Sequence, residues 1–85
     1  MENDIVIFEK LSQILKDNFY IKNEITADSK FSDLGLEKYD VIEFSMRVED
    51  DFNVWIDDEE IENFHVVKDL IECVKNKPVR ETRKE

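Results

Sequence analysis

One glycine and one proline in 85 residues constrain this chain more than any other feature of its sequence. Antiparallel sandwiches and barrels need turn signals about every 8–12 residues. Gly35 and Pro78 alone cannot supply them, so an all-β fold is excluded and an all-α fold is expected. At about 100–200 residues per domain there is room for one domain. With 41% hydrophobic residues the chain can close one core cluster, which argues against general disorder. Cys73 is alone, so no internal disulfide can form, and no Cys/His ligand set surrounds His65.

Hydrophobic spacing resolves four helical segments. The first opens at Asn3 or Asp4, either of which can accept first-turn N–H groups, and carries Ile7, Leu11, Ile14 and Leu15 on one stripe, widened by Phe8 and Phe19. About sixteen residues of connection follow, pinned by Ile21, Ile25, Phe31 and Leu34. Gly35 falls where left-handed or tight backbone is needed. The second helix runs from about Lys38 to Asp51, with Val41, Phe44, Ser45, Val48 and Phe52 on one face. Asp57 to Asn63 forms a short third helix with acids at its positive end. The fourth, from about Val66 to Asn76, turns Val67, Leu70, Ile71 and Val74 inward and is stopped by Pro78. The domain therefore spans residues 1–77, and 78–85 form a charged flexible tail. Trp55, between the second and third helices, is expected to pack on the bundle, and Cys73 to be partly buried and inert.

Charge is unevenly placed. The net charge is −10, and residues 28–62 hold 13 acids against 3 bases, while the remainder balances at 9 and 9. Such a surface disfavours nucleic acid and attracts a basic protein partner. Glu49-Asp50-Asp51 and Asp57-Asp58-Glu59-Glu60 lack the spaced loop and central glycine of a strong Ca²⁺ site, so no metal site is expected. The early run Ile5-Val6-Ile7-Phe8 is too short for a leader peptide and nothing approaches a membrane span, so the cytoplasm is the expected compartment. No nucleophile stands beside a base, and no glycine-rich loop is present to cradle phosphates. No catalytic residues are assigned.

On the second helix, Tyr39, Ile42 and Met46 recur at i, i+3 and i+7, off the core stripe. The row either packs beneath the long connection or lies exposed, and an exposed apolar strip edged by acids has the anatomy of a docking site. The surface so defined comprises Glu37, Lys38, Tyr39, Asp40, Ile42, Glu43, Met46, Glu49 and Asp50.

Ile25-Thr26-Ala27-Asp28 followed by Phe31-Ser32-Asp33-Leu34-Gly35-Leu36-Glu37-Lys38-Tyr39-Asp40-Val41-Ile42-Glu43 resembles the acyl carrier protein family's D-L-G-x-D-S-L-D-x-V-E segment. Val48-Glu49-Asp50-Asp51-Phe52-Asn53-Val54-Trp55-Ile56-Asp57-Asp58-Glu59 resembles its L-E-E-E-F-x-x-x-I-P-D-E. The resemblance covers roughly residues 5–76. It implies a four-helix bundle with a long first loop and a short third helix, a monomer, and a role in fatty acid biosynthesis. It also implies a synthase, acyltransferase or similar enzyme as partner.

In that family the serine of D-S-L receives 4′-phosphopantetheine. Here Lys38 occupies the place, and an amine cannot form the phosphodiester. Ser12, Ser29, Ser32, Ser45 and Thr26 do not stand where they could replace it. A cation in a first helical turn also opposes the helix dipole, by about 0.3–1 kcal/mol when exposed. The reading is a non-enzymatic, carrier-like binding module with no cofactor, docking a partner through the second helix. A working carrier with a moved or substituted attachment site, which would hold 4′-phosphopantetheine, is the alternative. An acidic inhibitor resembling small immunity proteins is a third.

Overall fold

A computed structural model of the protein describes residues 3–80. Four helices follow in order: α1 (Asp4–Phe19), α2 (Lys38–Phe52), α3 (Asp58–Glu62) and α4 (Val67–Lys75). No strand forms among the described residues, and a single antiparallel bridge joins Lys30 to Val66. The tail expected over 78–85 lies outside the described residues from position 81 onward.

Each helix begins where the sequence offers an acceptor. The Asn3 side chain accepts from the Val6 N–H at 2.9 Å and opens α1. Asp40 reaches back to the Glu37 N–H at the start of α2, and Glu60 to the Asp57 N–H at the start of α3, both at 2.9 Å. Asp69 takes two N–H groups before α4, those of His65 and Val66. α1 ends at Tyr20 and α2 at Asn53, both with positive φ, at 56° and 57°.

The core joins the inward stripes of α1, α2 and α4. Ile7, Leu11, Ile14 and Leu15 meet Val41, Phe44 and Val48 and the four inward residues of α4, all buried. Phe44 is fully buried and makes edge contacts with Phe19 and Phe31 at 6.2 and 5.9 Å between ring centroids. Phe31 and Ile25 anchor the long connection in this core. That connection is also held by its backbone. Phe31 N–H donates to the His65 carbonyl, while Ser29 and Ala27 carbonyls accept from Val67 and Lys68, in the first turn of α4. Those donors would otherwise be orphaned at the helix start. Gly35 sits at φ 84°, the left-handed turn that returns the chain to α2.

Four buried core residues belong neither to the helical stripes nor to the residues expected to pin the long connection: Leu36, Val54, Ile56 and Phe64. Val54 and Ile56 flank Trp55 on an extended link between α2 and α3, where alternate residues face opposite sides. Trp55 therefore faces away from the core. It is 49% exposed, and the Arg80 guanidinium lies over its ring at 4.4 Å.

Candidate functional site

α2 presents two faces of different character. Its inward residues are buried, whereas Tyr39, Ile42 and Met46 are 66%, 40% and 57% exposed. The 3.6-residue period separates the rows, and the long connection does not cover the outer one. Lys38, the first residue of α2, is exposed at the head of that face.

The acids around the row are not equivalent. Glu43 is exposed and forms a 3.3 Å pair with Arg47 one turn along, a surface contact worth little. Asp40 is half-buried and caps α2 through the Glu37 N–H. Glu49 is half-buried too, and its carboxylate accepts the Ile56 N–H at 2.7 Å, tying the end of α2 to the link that follows. Asp50 faces the Arg80 guanidinium at 3.5 Å. The nine residues singled out in the sequence thus share one helix and its cap. Asp40 and Glu49, however, are spent on structure as much as on surface charge.

Between α2 and α3 runs a groove of about 640 Å³ lined by Lys38, Val41, Ile42, Asp58, Ile61, Glu62 and His65. Its walls are aliphatic and its rim carries both signs of charge. Periodicity along α2 could not find it, because four of its seven lining residues come from α3 and the residue before Val66. His65 is exposed there, and its backbone carbonyl is engaged by Phe31.

Beneath α3 lies a seam of ionisable groups. Lys77 Nζ stands 2.9 Å from Glu60 Oε1, and the Cys73 thiol donates to Glu60 Oε2 at 3.5 Å. Burial pushes the Glu60 carboxyl up, but the Asp57 N–H and the Lys77 ammonium outweigh it and leave it below the ordinary value. Burial likewise opposes the Lys77 charge, and Glu60 more than restores it, so the ammonium is held above its ordinary range. Burial and the Glu60 charge together push the Cys73 thiol up to about 11. A thiol so shifted stays protonated near neutrality and is a poor nucleophile.

Among the described residues no group of three or more His, Cys, Asp or Glu is placed to hold a metal ion. No described helix is long and apolar enough to cross a membrane.

Residues 9–74 match the family described as the phosphopantetheine attachment site. An acyl carrier protein of Lactobacillus acidophilus is 35% identical over 72 residues, covering 82% of this chain and 90% of that protein. One from Clostridium perfringens is 36% identical over 70 residues, covering 80% and 92%. Among solved structures, the acyl carrier protein of Thermotoga maritima superposes with a TM-score of 0.80 at 32% identity, covering 87% of this chain and 88% of that one. The helix order, the long first connection and the short third helix are thus shared with a protein of that kind. Proteins of this family are carriers, not enzymes. On the span of the match, the identity of its relatives and the shared fold, the chain belongs to the acyl carrier protein family.

Proposed function

We propose that the protein is an acyl-carrier-like binding module that holds no 4′-phosphopantetheine and docks a protein partner through the outer face of α2. The observation that carries this reading is Lys38, exposed at the first position of α2 where the family motif places serine. Attachment of the group requires a hydroxyl oxygen to form the phosphodiester, and the Lys38 amine offers none.

The other hydroxyls fit no better. Ser45 is fully buried and Ser12 nearly so. Ser29 accepts from the Thr26 N–H at 2.8 Å and lies 3.3 Å from its hydroxyl. Ser32 belongs to the turn that ends at Gly35, whose N–H its carbonyl accepts. The residues present therefore do not fit the family's group.

What remains is a surface. Tyr39, Ile42 and Met46 offer apolar contact without being needed by the core, and the acids of residues 28–62 favour a partner with a basic patch. Family membership supports a carrier-recognising enzyme as that partner, such as a synthase or acyltransferase of fatty-acid-type synthesis, met by a monomer in the cytoplasm.

Incubation with a broad-specificity phosphopantetheinyl transferase and coenzyme A tests the first half of the proposal by intact-mass spectrometry. The protein is expected to keep its mass, and Lys38→Ser to gain one phosphopantetheine group if the α2 surface is still recognised. A gain by the unaltered protein at any residue overturns the reading in favour of a working carrier.

A further inference from the structure

The family match ends at residue 74, yet a cluster of contacts lies just beyond it. α4 stops at Lys75, and the next five residues cross back over the link between α2 and α3. The Arg80 N–H donates to the Asn53 carbonyl, and its Nε donates to Asn53 Oδ1 at 3.2 Å. The guanidinium stacks on Trp55 at 4.4 Å and faces Asp50 at 3.5 Å. Three residues earlier, Lys77 reaches Glu60 in the middle of α3 at 2.9 Å. One short segment thus grips both ends of the same connection: Asn53 where α2 closes in left-handed backbone, and Glu60 on the helix that follows.

Two details separate this arrangement from ordinary surface pairing. The Arg80 side chain is only 21% exposed, and that of Lys77 only 20%. Their contacts differ in kind: a backbone hydrogen bond, a hydrogen bond to a side-chain amide, a ring face and two carboxylates. Isolated exposed ion pairs contribute little, whereas groups ordered by several partners lose their freedom once for all of them. α3 needs such a device, because no residue of that helix is fully buried and Ile61 is only half-covered. Ile61 is also the α3 wall of the groove that Val41 and Ile42 close from α2, and it adjoins Glu60 in a helix of five residues.

We infer that Lys77–Arg80 is a clasp that fixes α3 against α2 and so sets how far the groove between them opens. Release of the clasp frees Glu60 and Asn53 together, and Ile61 moves with them while α1 and α4 keep their packing. The inference does not depend on whether Lys38 precludes modification or whether α2 docks a partner.

Amide hydrogen exchange of the full chain tests it, with residues 58–63 read against Leu11–Leu15. In Lys77→Gln/Arg80→Ala, α3 is expected to exchange about tenfold faster, a difference near 1.4 kcal/mol, with α1 unchanged. An apolar fluorescent dye should bind the variant more tightly than the parent and perturb Val41 and Ile61. Arg80→Lys keeps a charge near Asp50 and the backbone bond to the Asn53 carbonyl but loses the Nε–H contact with Asn53 Oδ1, and should fall between the two. Unchanged α3 exchange in the double variant overturns the inference, as does equal acceleration of α1, which would mean general destabilisation. If the double variant does not fold, the parent protein in rising salt decides. Screening should accelerate α3 exchange selectively, and a uniform or absent response overturns the clasp.

Discussion

α1 and α4 bury Ile7, Leu11, Ile14 and Leu15 against Val67, Leu70, Ile71 and Val74, whereas no residue of α3 is fully buried. The first pair is held by area removed from water, at about 25 cal/mol per Å² of apolar surface. α3 is held at points: Glu60 to the Asp57 N–H and to Lys77, and, at the far end of its link, Glu49 to the Ile56 N–H. Contacts between charged groups respond to pH and to screening by salt far more than apolar burial does. The molecule therefore combines a frame held by burial with one short helix held mainly by point contacts.

The largest effect should come from breaking the frame. Phe44→Ala removes a fully buried ring that contacts Phe19 and Phe31, and should cost about 3–5 kcal/mol. Ile61→Ala, at a half-buried position of α3, should cost about 1 kcal/mol. Chemical denaturation measures both, and equal losses would show that α3 belongs to the core after all.

Next in size is a point contact. Glu49→Ala leaves the N–H of buried Ile56 without its acceptor and should cost about 1–3 kcal/mol. Glu43→Ala, which removes only an exposed pair with Arg47, should stay within about 0.5 kcal/mol. The seam below α3 adds a pH signature. The Cys73 thiol, raised from 9.0 to about 11, stabilises the fold through its neutral form. That contribution is complete below about pH 9 and is lost as the pH rises toward 11. Glu60 is shifted the other way, so its contribution is present near neutrality and lost as the pH falls through its lowered value. Alkylation of native Cys73 should therefore remain slow at pH 8 and accelerate up to about pH 11. Rapid labelling at pH 8 would show that burial and the Glu60 charge do not hold the thiol neutral.

Among the described residues two buried hydroxyls lack a hydrogen-bond partner, Ser12 and Ser45, and at the more deeply buried of them a substitution should reverse sign. The Ser45 hydroxyl is fully buried on the core face of α2 and has no hydrogen-bond partner. An unpaired buried hydroxyl costs free energy, and alanine is also the better helix former. Ser45→Ala should raise stability by about 0.5–1 kcal/mol, read as a higher Tm. A loss would mean that the hydroxyl has an acceptor.

The frame was more legible in the sequence than the tied region, for a physical reason. A helix repeats every 3.6 residues, so Ile7 to Leu15 and Val67 to Val74 announce their inward faces by spacing alone. Val54 and Ile56 are buried on an extended link too short to establish a period, Leu36 follows the Gly35 turn, and Phe64 follows the Asn63 cap of α3. Lys38 was read as a departure from a motif. The tasks of Glu49 and Asp69 were not, because each depends on which backbone N–H the fold brings within reach. Arg80 was read as part of a tail, since nothing local in Pro78-Val79-Arg80 indicates Asn53 or Trp55.

The smallest expected effect on stability is also the one that bears most on function. Ile42 and Met46 lie on the outer face of α2, and exposed substitutions away from special features stay within about 0.5 kcal/mol. Ile42→Ala and Met46→Ala should therefore leave the Tm nearly unchanged, while Val48→Ala, on the buried face of the same helix, should lower it clearly. Against a partner the order inverts. Truncating the apolar centre of a docking face raises the off-rate, so Ile42→Ala and Met46→Ala should weaken binding by the larger factor. Glu43→Lys should instead slow association and flatten its salt dependence, as expected of a charge at the rim. Glu49 is the wrong residue for that test, because its carboxylate holds the Ile56 N–H and its loss would confound affinity with stability. If Ile42→Ala lowers the Tm as much as Val48→Ala does, the outer row is part of the core and the docking face does not exist.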